Sequence, residues 1–208
     1  MIEWEVAARI ESRLKGLGGP PLLAGGSSYS NIFAGGADEA HFCPAAMGTD
    51  TPSWTSKRGS RWRMLLWHFP SILRIAGLSA VEVGLAFSDM VRGAIKGHDL
   101  IEELKFIPKR VAVAVLLREL VTIGASVDAA RGVPVIHLNL LGYDEHAHRR
   151  GPASKFAHWS LKGIDHAIER LWSAAHASAR REYEVWVYSD HGQQPTVPYE
   201  VLHDDAVE

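Results

Sequence analysis

The spacing of apolar residues changes character along the chain, and the changes divide it into three stretches. Residues 3–15 place Val6, Ile10 and Leu14 near one face of a helix, which Gly16, Gly18, Gly19, Pro20 and Pro21 end. A small-residue loop follows, Gly25-Gly26-Ser27-Ser28-Tyr29-Ser30, and then Gly35-Gly36. Residues 49–63 are polar and basic and read as an exposed connection. From Met64 to Arg131 the pattern is mainly helical, broken at Pro70, Gly77 and Pro108, with a strongly apolar run over Val111–Val127. It is expected to form a helical insertion packed on a core domain. Within it, residues 65–91 are interrupted by His68, Pro70, Arg74, Glu82 and Asp89, too often for a membrane-spanning run. This stretch predicts a buried or amphipathic helical pair, with contact to a membrane surface as the alternative.

The last third has a different rhythm. Residues 133–141, Val-Pro-Val-Ile-His-Leu-Asn-Leu-Leu, form a short β-rich run between breakers, with Pro134 at a tolerated early position. Phe156, Trp159, Ile164, Ala167, Ile168 and Leu171 then repeat with a period near that of a helix, predicting one over 152–178. A second β-rich run covers Glu184–Ser189. Strand, helix and strand over this length make a βαβ unit with parallel strands and a right-handed crossover. The fold class is therefore α/β, a mainly parallel sheet flanked by helices.

Composition narrows the chemistry. Hydrophobic residues make up 47% and charged residues 22%, as in ordinary globular proteins. The formal charge of -2 gives no electrostatic basis for nucleic-acid binding. The single cysteine, Cys43, excludes an internal disulfide and any Cys-rich zinc site, so a metal site here must use His and carboxylates. Of the eleven histidines, eight follow residue 136. The first residues, Met-Ile-Glu-Trp-Glu, do not read as a secretory leader, and a cytoplasmic location is the default.

Both predicted strands of the βαβ unit run into metal-ligand residue types. The first leads to Gly142-Tyr143-Asp144-Glu145-His146-Ala147-His148, and the second to Ser189-Asp190-His191-Gly192. Ligands of parallel α/β sheets bind beyond the carboxyl ends of the strands, and two strands of one βαβ unit share that edge. Asp144, His148, Asp190 and His191 are thereby able to converge, and mixed imidazole and carboxylate ligands suit zinc, manganese or iron. Either motif alone is weak, and the plain alternative is a pair of solvated loops with a capping aspartate.

Taken together, Tyr143-Asp144-x3-His148-x2-Gly151-Pro152, the helix bearing Leu161, Ile164, Asp165 and Ile168, and Tyr188-Ser189-Asp190-His191-Gly192 resemble a known family. It is the type I phosphodiesterase/nucleotide pyrophosphatase branch of the alkaline phosphatase superfamily. The likeness is detailed over about residues 133–193, and the loop from Gly25 to Gly36 looks like a segment these proteins carry downstream of their nucleophile. It implies a hydrolase of small phosphate esters with two divalent metal ions, usually zinc, with manganese as an alternative. Asp144 and His148 would hold one ion, and Asp190 and His191 the other. In the family scheme a metal-bound Thr or Ser attacks phosphorus, and water releases the phosphoenzyme.

The chain departs from that pattern at both ends. It opens on a helix, with no strand ending in an Asp ligand and no nucleophile at a helix N-terminus. Only sixteen residues follow Gly192, and His203 comes early for the family's third histidine on the first metal. On the family pattern, residues 1–208 read as one partial α/β domain, with 64–131 inserted in it and the catalytic nucleophile unassigned. Ser27, Ser28 and Ser30 are the substitutes the sequence offers, although a tight turn explains that loop as well. His146 is expected to be solvent-exposed or to support the ligands, Asp165 and His166 to lie on a helix surface, and His137 and Asn139 to be satisfied polar groups or supports below the site. Arg149-Arg150 could attract a phosphate ester or simply be solvated. Two classes remain, a phosphate-ester hydrolase and a non-catalytic metal-binding remnant of one.

Overall fold

A computed structural model describes residues 4–44, 69–95 and 111–195 of the protein. Helix α1 (Trp4–Lys15) begins the fold. Its expected apolar stripe does not face inward: Ile10 and Leu14 are exposed, and Ala7 and Glu11 are buried. The reason is polar. The Glu11 carboxylate accepts the Ala34 amide at 3.0 Å and the Gly36 amide at 3.3 Å, tying α1 to the glycine-rich turn beside it.

That glycine-rich segment holds two strands rather than a loop. Strands β1 (Ser27–Tyr29) and β2 (Glu39–His41) are parallel neighbours. The connection between them contains residues with positive φ at Ser30, Gly35 and Gly36, which fold it back within a short span. β1 is the centre of a three-stranded parallel sheet of order β2-β1-β3. Ser27 and Ser28 are wholly buried in it as strand residues, which does not favour either as a nucleophile open to substrate.

Helix α2 (Phe69–Ile95) is one helix of 27 residues where a helical pair was expected, and Pro70 stands in its first turn, where a missing amide costs no hydrogen bond. It is not buried along its apolar length: Leu73, Val81, Val83, Phe87 and Val91 are exposed, and Ala86 is buried. Among the described residues, no helix is long and apolar enough to cross a membrane. Residues 49–63, expected as an exposed connection, lie outside the described residues.

A π-helical stretch (Ala112–Leu117) runs into helix α3 (Arg118–Arg131), which Gly132 terminates in a left-handed conformation with its amide bonded back to the last turn. β3 (Ile136–Leu138) then pairs with β1 in the register Ser27↔Ile136 and Tyr29↔Leu138. The core lies between α3 and the sheet, where Tyr29, Val121 and Ala125 pack with Leu117, Ile136, Leu138, Leu140 and Leu171. Gly124 makes this contact. A Cβ there would stand 2.7 Å from the Tyr29 ring. Gly124→Ala is accordingly expected to lose about 1–2 kcal/mol in urea unfolding, because overpacking exceeds the helix-propensity gain of roughly 1 kcal/mol. Gly77→Ala, facing open space on α2, is the contrasting control and should gain up to about 1 kcal/mol.

Helices α4 (Tyr143–Arg150) and α5 (Lys155–His176) complete the described fold. α5 starts at Ser154, whose hydroxyl accepts the Ala157 amide at 3.2 Å, so Pro152 precedes the helix rather than opening it. α5 packs on α3 and α4. Glu119 of α3 is 1% exposed and accepts from Arg170 of α5 at 2.6 Å, with Arg74 of α2 at 3.6 Å. One buried carboxylate thus joins three helices.

The second strand of the expected βαβ unit does not form. Residues 184–189 carry no strand, and Trp186, Val187 and Tyr188 are 78%, 64% and 71% exposed. Strand propensity in this run is not matched by a backbone ladder or a buried face, which is what turns propensity into a strand. The segment still runs beside β3 and in the same direction, held by side chains. Arg181 Nε donates to Gly132 O at 3.1 Å, Tyr183 OH donates to Val133 O at 2.7 Å, and Tyr188 OH meets His137 Nε2.

Candidate metal centre

The three parallel strands end together at Tyr29, His41 and Leu138, and the chain leaves β3 at this edge for α4. Gly142 makes the turn with φ of 121°, a region that favours glycine. Its amide donates to Glu145 Oε2 at 2.9 Å, so Glu145 reaches back over the first turn and fixes where α4 begins. The expected loop between Asp144 and His148 is therefore a helix. Helical spacing places residues four apart on one face, and His148 Nε2 lies 3.2 Å from Asp144 Oδ1.

The second segment approaches the same atom. His191 Nε2 lies 3.9 Å from Asp144 Oδ1 and 3.9 Å from Asp190 Oδ2. Asp190 is the outermost of the four, and its other carboxylate oxygen accepts the His191 amide at 3.1 Å. Asp144, His148 and His191 are brought together, and Asp190 stands beside His191.

Asp144 Oδ1 is buried and has no hydrogen-bond partner. His148 Nε2 and His191 Nε2 both approach this oxygen, and imidazole with carboxylate is a donor chemistry that suits a divalent cation, but among the described residues Asp144, His148, Asp190 and His191 do not bring three ligand atoms within 4.8 Å of one another, so the arrangement is open.

The neighbours follow expectation in part, with Asp165 and His166 on a helix surface. His146 is buried, 3% exposed, and does not face solvent. Asp165 is exposed on α5, and His166 Nδ1 contacts Lys162 O at 2.8 Å on the same helix. Asn139 is also exposed, with its backbone amide donated to Tyr29 O. The side chains of Arg149 and Arg150, and His203, lie outside the described residues.

A second cluster was not visible in the sequence. Ligand-type atoms of Glu39, His41 and Asp128 lie within 4.8 Å of one another. Arg131 already occupies the place of a cation there. It donates to Asp128 Oδ1 at 2.7 Å and to both oxygens of Glu39, one at 2.9 Å. Tyr29 OH donates to Asp128 Oδ2 at 2.7 Å, and the His41 ring stacks on Tyr29 with centroids 4.7 Å apart. Burial first, and then the bond to Asp128, push the Tyr29 hydroxyl well above its usual range. The Arg131 hydrogen bond holds Glu39 below the usual carboxylate range. A metal would have to displace a paired guanidinium, so this cluster is a polar brace between the sheet and α3. No sequence pattern joins residues 99 apart such as Tyr29 and Asp128.

Comparison with curated proteins gave no match, and comparison with solved structures gave none either. Comparison with family models matched residues 105–207 to type I phosphodiesterase / nucleotide pyrophosphatase. These are phosphodiesterase- and pyrophosphatase-type hydrolases of small phosphate esters. The match takes in α3, β3, α4, α5 and the segments that carry Asp144 and Asp190, so over residues 105–207 the chain is similar to the type I phosphodiesterase / nucleotide pyrophosphatase family.

Proposed function

We propose that the protein is a metal-dependent hydrolase of phosphate esters, with Asp144, His148, Asp190 and His191 holding divalent ions. Two ions are expected, zinc first and manganese as the alternative. The observation that carries the reading is the approach of two imidazoles, from separate segments, to one carboxylate oxygen, Asp144 Oδ1. Bound divalent metal would supply Lewis-acid stabilisation of charge on the phosphoryl oxygens.

The chain's own contribution is to hold donors in place. Glu145 fixes the start of α4, the helix sets Asp144 and His148 on one face, and the segment after Tyr188 brings Asp190 and His191. His148 and His191 would ligate through neutral ring nitrogens. The exposure of His148, Asp190 and His191 leaves the site open to a small ester from solvent. The nucleophile is not assigned to any residue.

Hydrolysis of a nitrophenyl phosphodiester by the purified chain, with zinc or manganese added, tests the proposal. With no nucleophile assigned, the expected result is weak, metal-dependent release of nitrophenol that His191→Ala abolishes. Release that is unaffected by chelator or by His191→Ala would overturn the assigned site. Metal uptake without any turnover would favour a binding remnant over an enzyme.

A further inference from the structure

The His191 half of the site reaches the Asp144 half without a β-ladder. Among the described residues, no backbone hydrogen bond joins residues 183–189 to β3. Three side-chain contacts align the two segments instead, and they advance in step along both. Arg181 meets Gly132, Tyr183 meets Val133, and Tyr188 meets His137. The last is the nearest to the site in sequence on both sides. Tyr188 is two residues before Asp190, and His137 belongs to the strand that leads to Asp144.

His137 is itself well anchored. It is the central residue of β3, paired with Ser28 of the middle strand, and its carbonyl accepts from Asn31 Nδ2 at 3.3 Å. Asn31 also donates to Ser28 Oγ at 2.9 Å, so the position of His137 is set by the sheet. Tyr188 has little else to hold it. Its side chain is 71% exposed, and its ring lies nearly parallel to the imidazole, at 20° with centroids 6.2 Å apart. The contact joins positions 51 residues apart in sequence, and it is the one that lies nearest to Asp190 and His191.

We infer that His137 is a positioning residue. Through the Tyr188 hydroxyl it sets Asp190 and His191 opposite Asp144 and His148, and so tunes the affinity of the site for its metal. The inference rests on the proposed metal site and adds a residue that touches no ligand atom. Groups that orient metal ligands from behind are typically worth about 10–100-fold in affinity, and that is the effect expected here.

The test uses the full chain, titrated with zinc against a chromophoric chelator and with cobalt(II) followed by its visible absorption. Tyr188→Phe keeps the ring and removes the hydroxyl, and is expected to weaken zinc by about tenfold and alter the cobalt spectrum. The melting temperature of the metal-free protein should be unchanged, because Tyr188 is an exposed side chain. His137→Ala should weaken zinc similarly, and adding Tyr188→Phe to it should cost little more, since both act through one contact. His137→Gln, able to meet the hydroxyl, should recover part of the loss. Tyr183→Phe, which removes a fastening farther from the site, should have a smaller effect. Wild-type zinc affinity and cobalt spectrum in Tyr188→Phe, with binding lost in His148→Ala, would overturn the inference and leave the metal site standing. Zinc binding that survives His148→Ala unchanged would remove the metal site and this inference together.

Discussion

Arg170→Met is expected to lower the stability of the protein by about 3–5 kcal/mol, the cost of leaving a buried carboxylate without its cation. Glu119 is 1% exposed and takes its short hydrogen bond from Arg170, whereas Arg74 is farther away and itself 39% exposed. Methionine keeps the bulk of the arginine stem and removes the charge, so the change isolates electrostatics from packing. Urea unfolding at constant m-value measures the loss. Glu119→Gln combined with Arg170→Met should recover most of it, because the double variant no longer buries an unpaired charge. A loss below about 1 kcal/mol in Arg170→Met would show that Arg74 or solvent serves Glu119 as well.

The largest effect on the proposed site is expected from Asp144→Ala. Both imidazoles approach the same oxygen of this residue, so its removal should reduce zinc affinity by at least about 100-fold, more than a supporting group would. Asp190→Ala should cost less, since Asp190 is 79% exposed and neighbours only His191. The stability of the metal-free protein should move much less: the Asp144 side chain is 48% exposed and pairs with His148 across one helical turn, so alanine should cost no more than about 1 kcal/mol. Isothermal titration with zinc and thermal melting in chelator read the two effects separately. Equal losses of affinity in Asp144→Ala and Asp190→Ala would contradict the central place of Asp144.

The helices were the most legible part of the fold. The apolar repeat over 152–178 appears as α5 over Lys155–His176, and the run through 133–141 contains β3. The other two strands were hidden for a physical reason. β1 is Ser-Ser-Tyr and β2 is Glu-Ala-His, so neither has the β-branched or alternating apolar pattern that marks a strand. The burial of β1 comes from its middle position in a small sheet, whereas β2 is a half-buried edge strand, and only tertiary structure supplies either place. The 184–189 run fails in the opposite sense, with strong strand propensity and no ladder.

That failure bears on how the site residues meet. The sequence argument brought two strand ends to one sheet edge. In the structure, the Asp144–His148 spacing is helical, and residues 190–191 arrive on a segment fastened by side chains. The α1 face shows the same limit. Its apolar positions are exposed because a glutamate on the other side serves two backbone amides, and hydrophobic periodicity carries no trace of that bond.

The outer face of α2 has a consequence for how the protein behaves in bulk solution. Leu73, Val81, Val83, Phe87 and Val91 present apolar surface on a molecule with a formal charge of only -2 and an isoelectric point near 6.6. Near neutrality, long-range repulsion between copies is weak, and short-range apolar attraction governs colloidal behaviour. Lowering the pH protonates some of the eleven histidines and restores repulsion. Conditions well below the isoelectric point therefore keep copies apart better than conditions near neutrality.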